Sequence, residues 1–220
     1  MAHIRYDGPG AVLDALTERY PALAAQKEDI RALYALLRQA FASGGKLLVC
    51  GNGGSAADAL HIVGELMKSF TLPRPVDEAA AAALAAFGEE GRQLASSLEG
   101  ALPAVALVEN AALSTALEND VSGGLSFAQQ VYGLGQPGDV LLCISTSGNA
   151  RNAVAAAMVA RARGLRVALL SGGTGGRLKA LSDASVVVDA TETFMIQELH
   201  LPVYHALCLM LEYAFFPPRS

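Results

Sequence analysis

The chain has 220 residues, 52% of them hydrophobic and 17% charged, with no Trp, and its mean hydropathy is +0.35. Globular proteins average about 25% charged residues, so this chain is short of charge, and that composition excludes intrinsic disorder. A net charge of −5 with scattered Lys and Arg excludes the basic footprint of a protein that binds nucleic acid or anionic lipid.

No uninterrupted apolar run approaches the roughly 18 residues of a membrane span. The longest tract, Ala79 to Phe87, is mostly Ala and is flanked by Asp77, Glu78, Glu89 and Glu90. The opening MAHIRYDGPG has no apolar core, so no secretory signal is expected. Cys50, Cys143 and Cys208 sit singly in apolar runs, which reads as buried, reduced thiols of a cytoplasmic protein. The apolar excess is expected in a sheet buried on both faces, in a subunit interface, or in both.

Helical periodicity dominates the first forty residues, where Val12, Leu13, Leu16, Ile30, Leu33, Leu36 and Leu37 recur at three- and four-residue steps. Pro21 divides the region and Gly44-Gly45 stops it, which predicts a helical arm over 1–43. Lys46 to Cys50 is a short apolar run ending in glycines and predicts a buried strand. A helix follows over 55–70, then the loop TLPRP, then an Ala-rich helical stretch over 77–98. Further strands are predicted at 104–108, 140–144, 166–170 and 184–188. Helices are predicted at 109–117, 125–133, 150–163, 175–181 and 194–215. Strands alternating with helices predict an α/β fold, a three-layer αβα sandwich around a five-stranded parallel sheet. No linker divides the chain, so 1–220 reads as one domain.

Three strands run into glycine-rich turns: Gly51-Asn52-Gly53-Gly54-Ser55, Ser145-Thr146-Ser147-Gly148-Asn149, and Ser171-Gly172-Gly173-Thr174-Gly175-Gly176. In an open parallel sheet all three face the ligand edge, outside the carboxyl ends of the strands. Glycines admit a ligand close to the backbone, and each new helix offers unpaired N–H groups to an anion. The first two turns carry no Lys or Arg, which suits a monophosphate or polyol better than a triphosphate. Residues 51–56 also fit G-x-G-x-x-A, the dinucleotide fingerprint. Its acidic partner, about 20 residues on, would fall at Asp77 or Glu78 beyond a Pro-rich loop, which argues against NAD. No Walker motif occurs.

GNGGSAADALH at 51–61, ISTSGN at 144–149 and IQELHLPVYH at 196–205 together resemble the SIS (sugar isomerase) family, and within it the phosphoheptose isomerases, over residues 25–213. The resemblance implies interconversion of sedoheptulose 7-phosphate and D-glycero-D-manno-heptose 7-phosphate, a step towards lipopolysaccharide heptose precursors. It also implies a homotetramer with active sites between subunits.

His61 and Glu65 lie four apart on one helical face and can share a cation or pair as acid and base. Alone, such a pair is more often structural. Gln197 and His205 lie eight apart, about 12 Å along the last helix, with Pro202 between them. Meeting at one metal would need long converging side chains or two chains. Without the resemblance His205 reads as a core histidine, and His200 and Glu198 read as surface or packing residues. The resemblance implies that zinc is held by His61, Glu65, Gln197 and His205, with Glu65 and His205 as base and acid. It further implies that Ser145, Thr146 and Ser147 hold the phosphate, and that Asn52, Gly53, Gly54, Ser55, Asn110 and Gln197 contact the sugar.

The chain departs from the family pattern in three ways. Ala150 stands where Ser is usual, Asn110 stands roughly where a substrate-contacting Asp is usual, and residues 76–102 form a helical insertion. Two other readings compete with the enzyme. A non-catalytic SIS protein that associates with a replication initiator lacks the last His of the set, which this chain keeps as His205. A phosphosugar-sensing regulator would carry a DNA-binding domain, and no basic surface for one is present.

Overall fold

The computed structural model describes residues 5–218, so the first four residues of the predicted arm lie outside it. Five strands form one parallel sheet: β1 (Leu47–Gly51), β2 (Ala104–Ala106), β3 (Val140–Ile144), β4 (Arg166–Gly172) and β5 (Ala184–Val188). Their order is β2-β1-β3-β4-β5. The helices are α1 (Pro9–Arg19), α2 (Lys27–Ala42), α3 (Gly54–Met67), α4 (Glu78–Ala85), α5 (Gly88–Ser97), α6 (Ala111–Asp120), α7 (Ser126–Leu134), α8 (Arg151–Ala162), α9 (Gly176–Leu181) and α10 (Thr193–Phe215). A 3₁₀ segment, Pro21–Gln26, joins α1 to α2.

Strand alternation assigns the two faces. Leu47, Val49, Val140, Leu142, Ile144, Ala168 and Leu170 pack in one core with α1, α2, α3 and α10. Leu48, Cys50, Leu141, Cys143, Val167 and Leu169 pack in the other with α7, α8 and α9. The fold is therefore the three-layer α/β sandwich that the alternation of elements predicts. The strand order reverses between β1 and β3, which opens a crevice at their carboxyl ends. Cys50, Cys143 and Cys208 are buried and free.

The stretch expected to be helical over 77–98 is a hairpin of two helices, α4 and α5, broken at Gly88, whose φ of +78° ends one helix and starts the next. No residue of α4 is buried, and α5 buries only Gly91. The N-terminal helices expected over 1–43 pack on the body of this chain. Their apolar stripe (Val12, Leu13, Leu16, Leu23, Ile30, Leu33, Leu37) is buried in this chain's own core. α10 has the length and composition to cross a membrane, but it packs as a core helix and carries the fully buried Glu212. It continues through Pro202.

Candidate active site

α3 begins at Gly54, directly after the β1 turn, and α10 runs beside it. A Cβ on Gly54 would stand 2.5 Å from the Gln197 amide nitrogen, so the absence of a side chain there lets Gln197 lie over the first residue of α3. Seven residues further along α3, the His61 ring meets His205 of α10 edge-to-face, with centroids 4.9 Å apart. The two helices thus run parallel and in step. One level holds Gln197 and Gly54, and a second holds His61, Glu65 and His205.

At the second level, His61 Nε2 stands 3.2 Å from Glu65 Oε1. The Glu65 side chain is 14% exposed and the His61 ring 42%. Glu65 Oε2 and His205 Nε2 are buried without hydrogen-bond partners, and Lys68 Nζ approaches Glu65 Oε2 only to 3.6 Å. Burial lowers the His205 pKa, a positive charge on His61 pushes it the same way, and Glu65 opposes both. Unpaired buried polar atoms are costly and call for a partner. Two imidazoles and a carboxylate are the donor types that zinc takes. Among the described residues, however, no three His, Cys, Asp or Glu side chains enclose a cation, and Gln197 stays at the Gly54 level. The donor set fits zinc in chemistry, and one chain alone leaves the cage open.

Behind His61 lies a polar relay absent from the sequence expectations. The Tyr204 hydroxyl is 3.0 Å from His61 Nδ1 and donates to Asp58 Oδ1 at 3.3 Å. Burial raises the Asp58 pKa, against the Tyr204 hydrogen bond and the His61 charge. Burial, reinforced by Asp58, raises that of Tyr204. The i, i+3 spacing of Asp58 and His61 was a readable signal, but the approach of Tyr204 from α10 was not.

A strut closes the far end of α3. Arg74 and Glu212 are fully buried side chains paired at 2.8 Å. The Arg74 guanidinium also donates to the carbonyls of Leu66 at 3.0 Å and Glu65 at 3.1 Å, which belong to the last turn of the helix. Glu212 further accepts from the N–H groups of Phe70, Thr71 and Leu72 and from the Thr71 hydroxyl. Burial raises the Glu212 pKa, but these donors and Arg74 outweigh it and hold the carboxyl below its ordinary value.

The β3 turn leads directly into α8. Ser145 is buried, Thr146 half-buried and Ser147 exposed. α8 starts with Ala150 as a cap that offers no side-chain bond, and in its first turn the Ala153 N–H donates to Asn152 Oδ1 at 2.9 Å, which leaves the N–H groups of Arg151 and Asn152 for an anion. The third turn packs against the second. Gly148 and Gly176 press against the backbones of Gly175 and Ser147, leaving no room for a Cβ at either. Asn149 Oδ1 accepts from Arg177 N at the start of α9. The third turn therefore buttresses the second.

At the switch point, a cleft of about 290 Å³ is lined by Asn52, Gly53, Ser114, Glu118, Ser126 and Asn152, among others. Asn52 and Asn152 exchange two amide hydrogen bonds, at 3.0 and 2.8 Å, across the β1 and β3 turns. Asn152 had no motif to announce it. Ser55 is buried beneath the β1 turn. Asn110 is exposed and caps α6 by accepting from Leu113 N at 3.0 Å, a local structural role.

A family model described as the SIS domain matches residues 13–99 and 79–172, two stretches that overlap over 79–99. The chain belongs to the SIS domain family. It is similar to the phosphoheptose isomerase of Synechocystis sp., with 36% identity over 191 residues, 87% of this chain and 86% of that one. The solved phosphoheptose isomerase of Neisseria gonorrhoeae shares 31% identity at a TM-score of 0.71, covering 90% of this chain and 93% of that one. That of Francisella tularensis shares 29% at 0.72, covering 90% and 92%. Within the SIS family the chain falls among the phosphoheptose isomerases, and that membership makes it an isomerase.

Proposed function

We propose that this SIS protein interconverts sedoheptulose 7-phosphate and D-glycero-D-manno-heptose 7-phosphate as a cytoplasmic homotetramer, feeding lipopolysaccharide heptose synthesis. The observation that carries the reading is the meeting of His61, Glu65 and His205 with two buried polar atoms left without hydrogen-bond partners. It lies on the helix that leaves the β1 glycine turn.

Aldose–ketose exchange needs a base for the proton alpha to the carbonyl and an acid for the carbonyl oxygen. Glu65 Oε2, nearly buried and without a hydrogen-bond partner, takes the carbon-bound proton. His205 delivers a proton from Nε2 to the oxygen, giving an enediol, and reversal at the neighbouring carbon completes the exchange. Ser145, Thr146, Ser147 and the N–H groups of Arg151 and Asn152 at the start of α8 hold the phosphate. Asn52, Gly53, Gly54, Ser55 and Gln197 line the sugar's path, and the place of Gln197 over Gly54 supports its role as a substrate contact. Asn110 caps α6 through Oδ1 and joins them through its Nδ2 amide. Zinc, with His61, Glu65, His205 and Gln197 as the residues to hold it, would supply stabilisation of negative charge on the sugar oxygen.

The test is incubation with sedoheptulose 7-phosphate and other ketose phosphates, with and without a chelator, followed by product analysis. Conversion to the aldose, lost on chelation, is expected. No turnover of any sugar phosphate by zinc-replete protein overturns the enzyme reading in favour of a binding protein.

A further inference from the structure

The geometry points to Tyr204 and Asp58 as positioning residues that keep a proton on His61 Nδ1, so that Nε2 is the nitrogen offered to the site. The inference rests on the reading of His61 as a cation ligand. It concerns a different pair of residues and is read by a different measurement.

A tyrosine hydroxyl has one proton to donate. Asp58 as a carboxylate only accepts, so the Tyr204 proton points along the 3.3 Å contact to Asp58 Oδ1. The Tyr204 oxygen then has only lone pairs for His61 Nδ1 at 3.0 Å, and that nitrogen must carry the hydrogen. The other ring nitrogen, Nε2, faces Glu65 Oε1 at 3.2 Å. With Nδ1 protonated, two acceptors meet there unless a proton or a cation lies between them. The relay therefore prepares His61 and Glu65 to share a positive species. A partner that fixes the tautomer of a ligating histidine is typically worth 10–100-fold in metal affinity.

The packing favours a fixed geometry. Tyr204 is 2% exposed, and its ring stacks edge-to-face on both His61 and His205, at 5.5 and 5.0 Å. Asp58 and His61 are on α3 and Tyr204 is on α10, so the relay also pins the two helices at the level of the site. The opposite polarity is the competing arrangement: a protonated Asp58 donates to Tyr204, Tyr204 donates to Nδ1, and Nε2 holds the hydrogen against Glu65.

Histidine ¹⁵N spectra of the full chain separate the two, with His61 assigned by its loss in His61→Gln. A hydrogen on His61 Nδ1, with and without zinc, is expected in the wild type. Tyr204→Phe keeps the ring and removes the hydroxyl. The protected Nδ1–H signal should vanish, zinc affinity measured against a competing chelator should fall about 10–100-fold, and the zinc-free unfolding midpoint should drop by no more than about 6 °C. Asp58→Asn brings an amide donor to Tyr204 and should reverse the relay, moving the hydrogen to Nε2. A wild-type His61 protonated only at Nε2, or a spectrum unchanged in Tyr204→Phe, overturns the inference. An Nδ1–H signal in a protein that binds no zinc keeps the relay but removes its role in cation binding, which also overturns it. Absence of sugar turnover alone leaves these spectra unaffected, so failure of the isomerase reading is told apart.

Discussion

The Arg74–Glu212 strut yields the sharpest stability prediction. Both side chains are fully buried. Replacing Glu212 by Leu leaves the Arg74 charge without its counter-ion and strips acceptors from the N–H groups of Phe70, Thr71 and Leu72. Removing one partner of a buried pair costs about 3–5 kcal/mol. At roughly 2–4 °C per kcal/mol for a chain of this size, the unfolding midpoint should fall by about 6–20 °C. Arg74→Met with Glu212→Leu removes the stranded charge but not the orphaned amides, each worth about 1–3 kcal/mol. The double variant should therefore recover only part of the loss. Glu212→Gln, nearly the same shape, isolates the charge and should still lower the midpoint clearly. Calorimetry of the three variants decides the matter. A Glu212→Gln midpoint within about 2 °C of wild type would refute the claim that the charge, rather than the packing, holds this end of α3.

The same strut predicts a pH dependence. The folded Glu212 carboxyl titrates below its ordinary value of 4.5, so its contribution is present above that pH and is lost as pH falls through the depressed folded value. The stability gap between wild type and Glu212→Gln, followed by denaturant titration, should narrow on acidification, and a gap that widens contradicts the assignment. Glu65→Gln and His205→Gln should each lower kcat at least about 100-fold in a coupled isomerase assay, and full activity in either sinks the base and acid roles. Gly54→Ala drives a methyl into the Gln197 amide and should raise KM for the sugar phosphate. Excising 78–97 with a short Gly closure should leave the unfolding midpoint nearly unchanged, because α4 buries nothing and the base is already tied by the Pro75–Glu99 bridge and by Ser69 bonds to Glu99.

Periodicity and turn chemistry made the five strands, the parallel sheet and the first two glycine turns legible before any coordinates, because these follow from local rules of burial and backbone freedom. The boundaries of β3 and β5 match their apolar runs residue for residue. Distance along the chain hid the rest. His61 and His205 are far apart in sequence, and only the in-step packing of α3 on α10 shows that they touch while Gln197 stays a level away at Gly54. Tyr204 sits in an apolar stretch of α10, and only the fold brings Asp58 and His61 to its hydroxyl. Arg74 sat in a proline loop with nothing to mark it as a buried cation. The destination of the low charge and high apolar content was settled the same way. The N-terminal stripe is spent on this chain's own core, because α1 and α2 pack against α10 and the sheet. Composition determines how much apolar surface must be hidden; which surface covers it depends on long-range packing that no local pattern encodes.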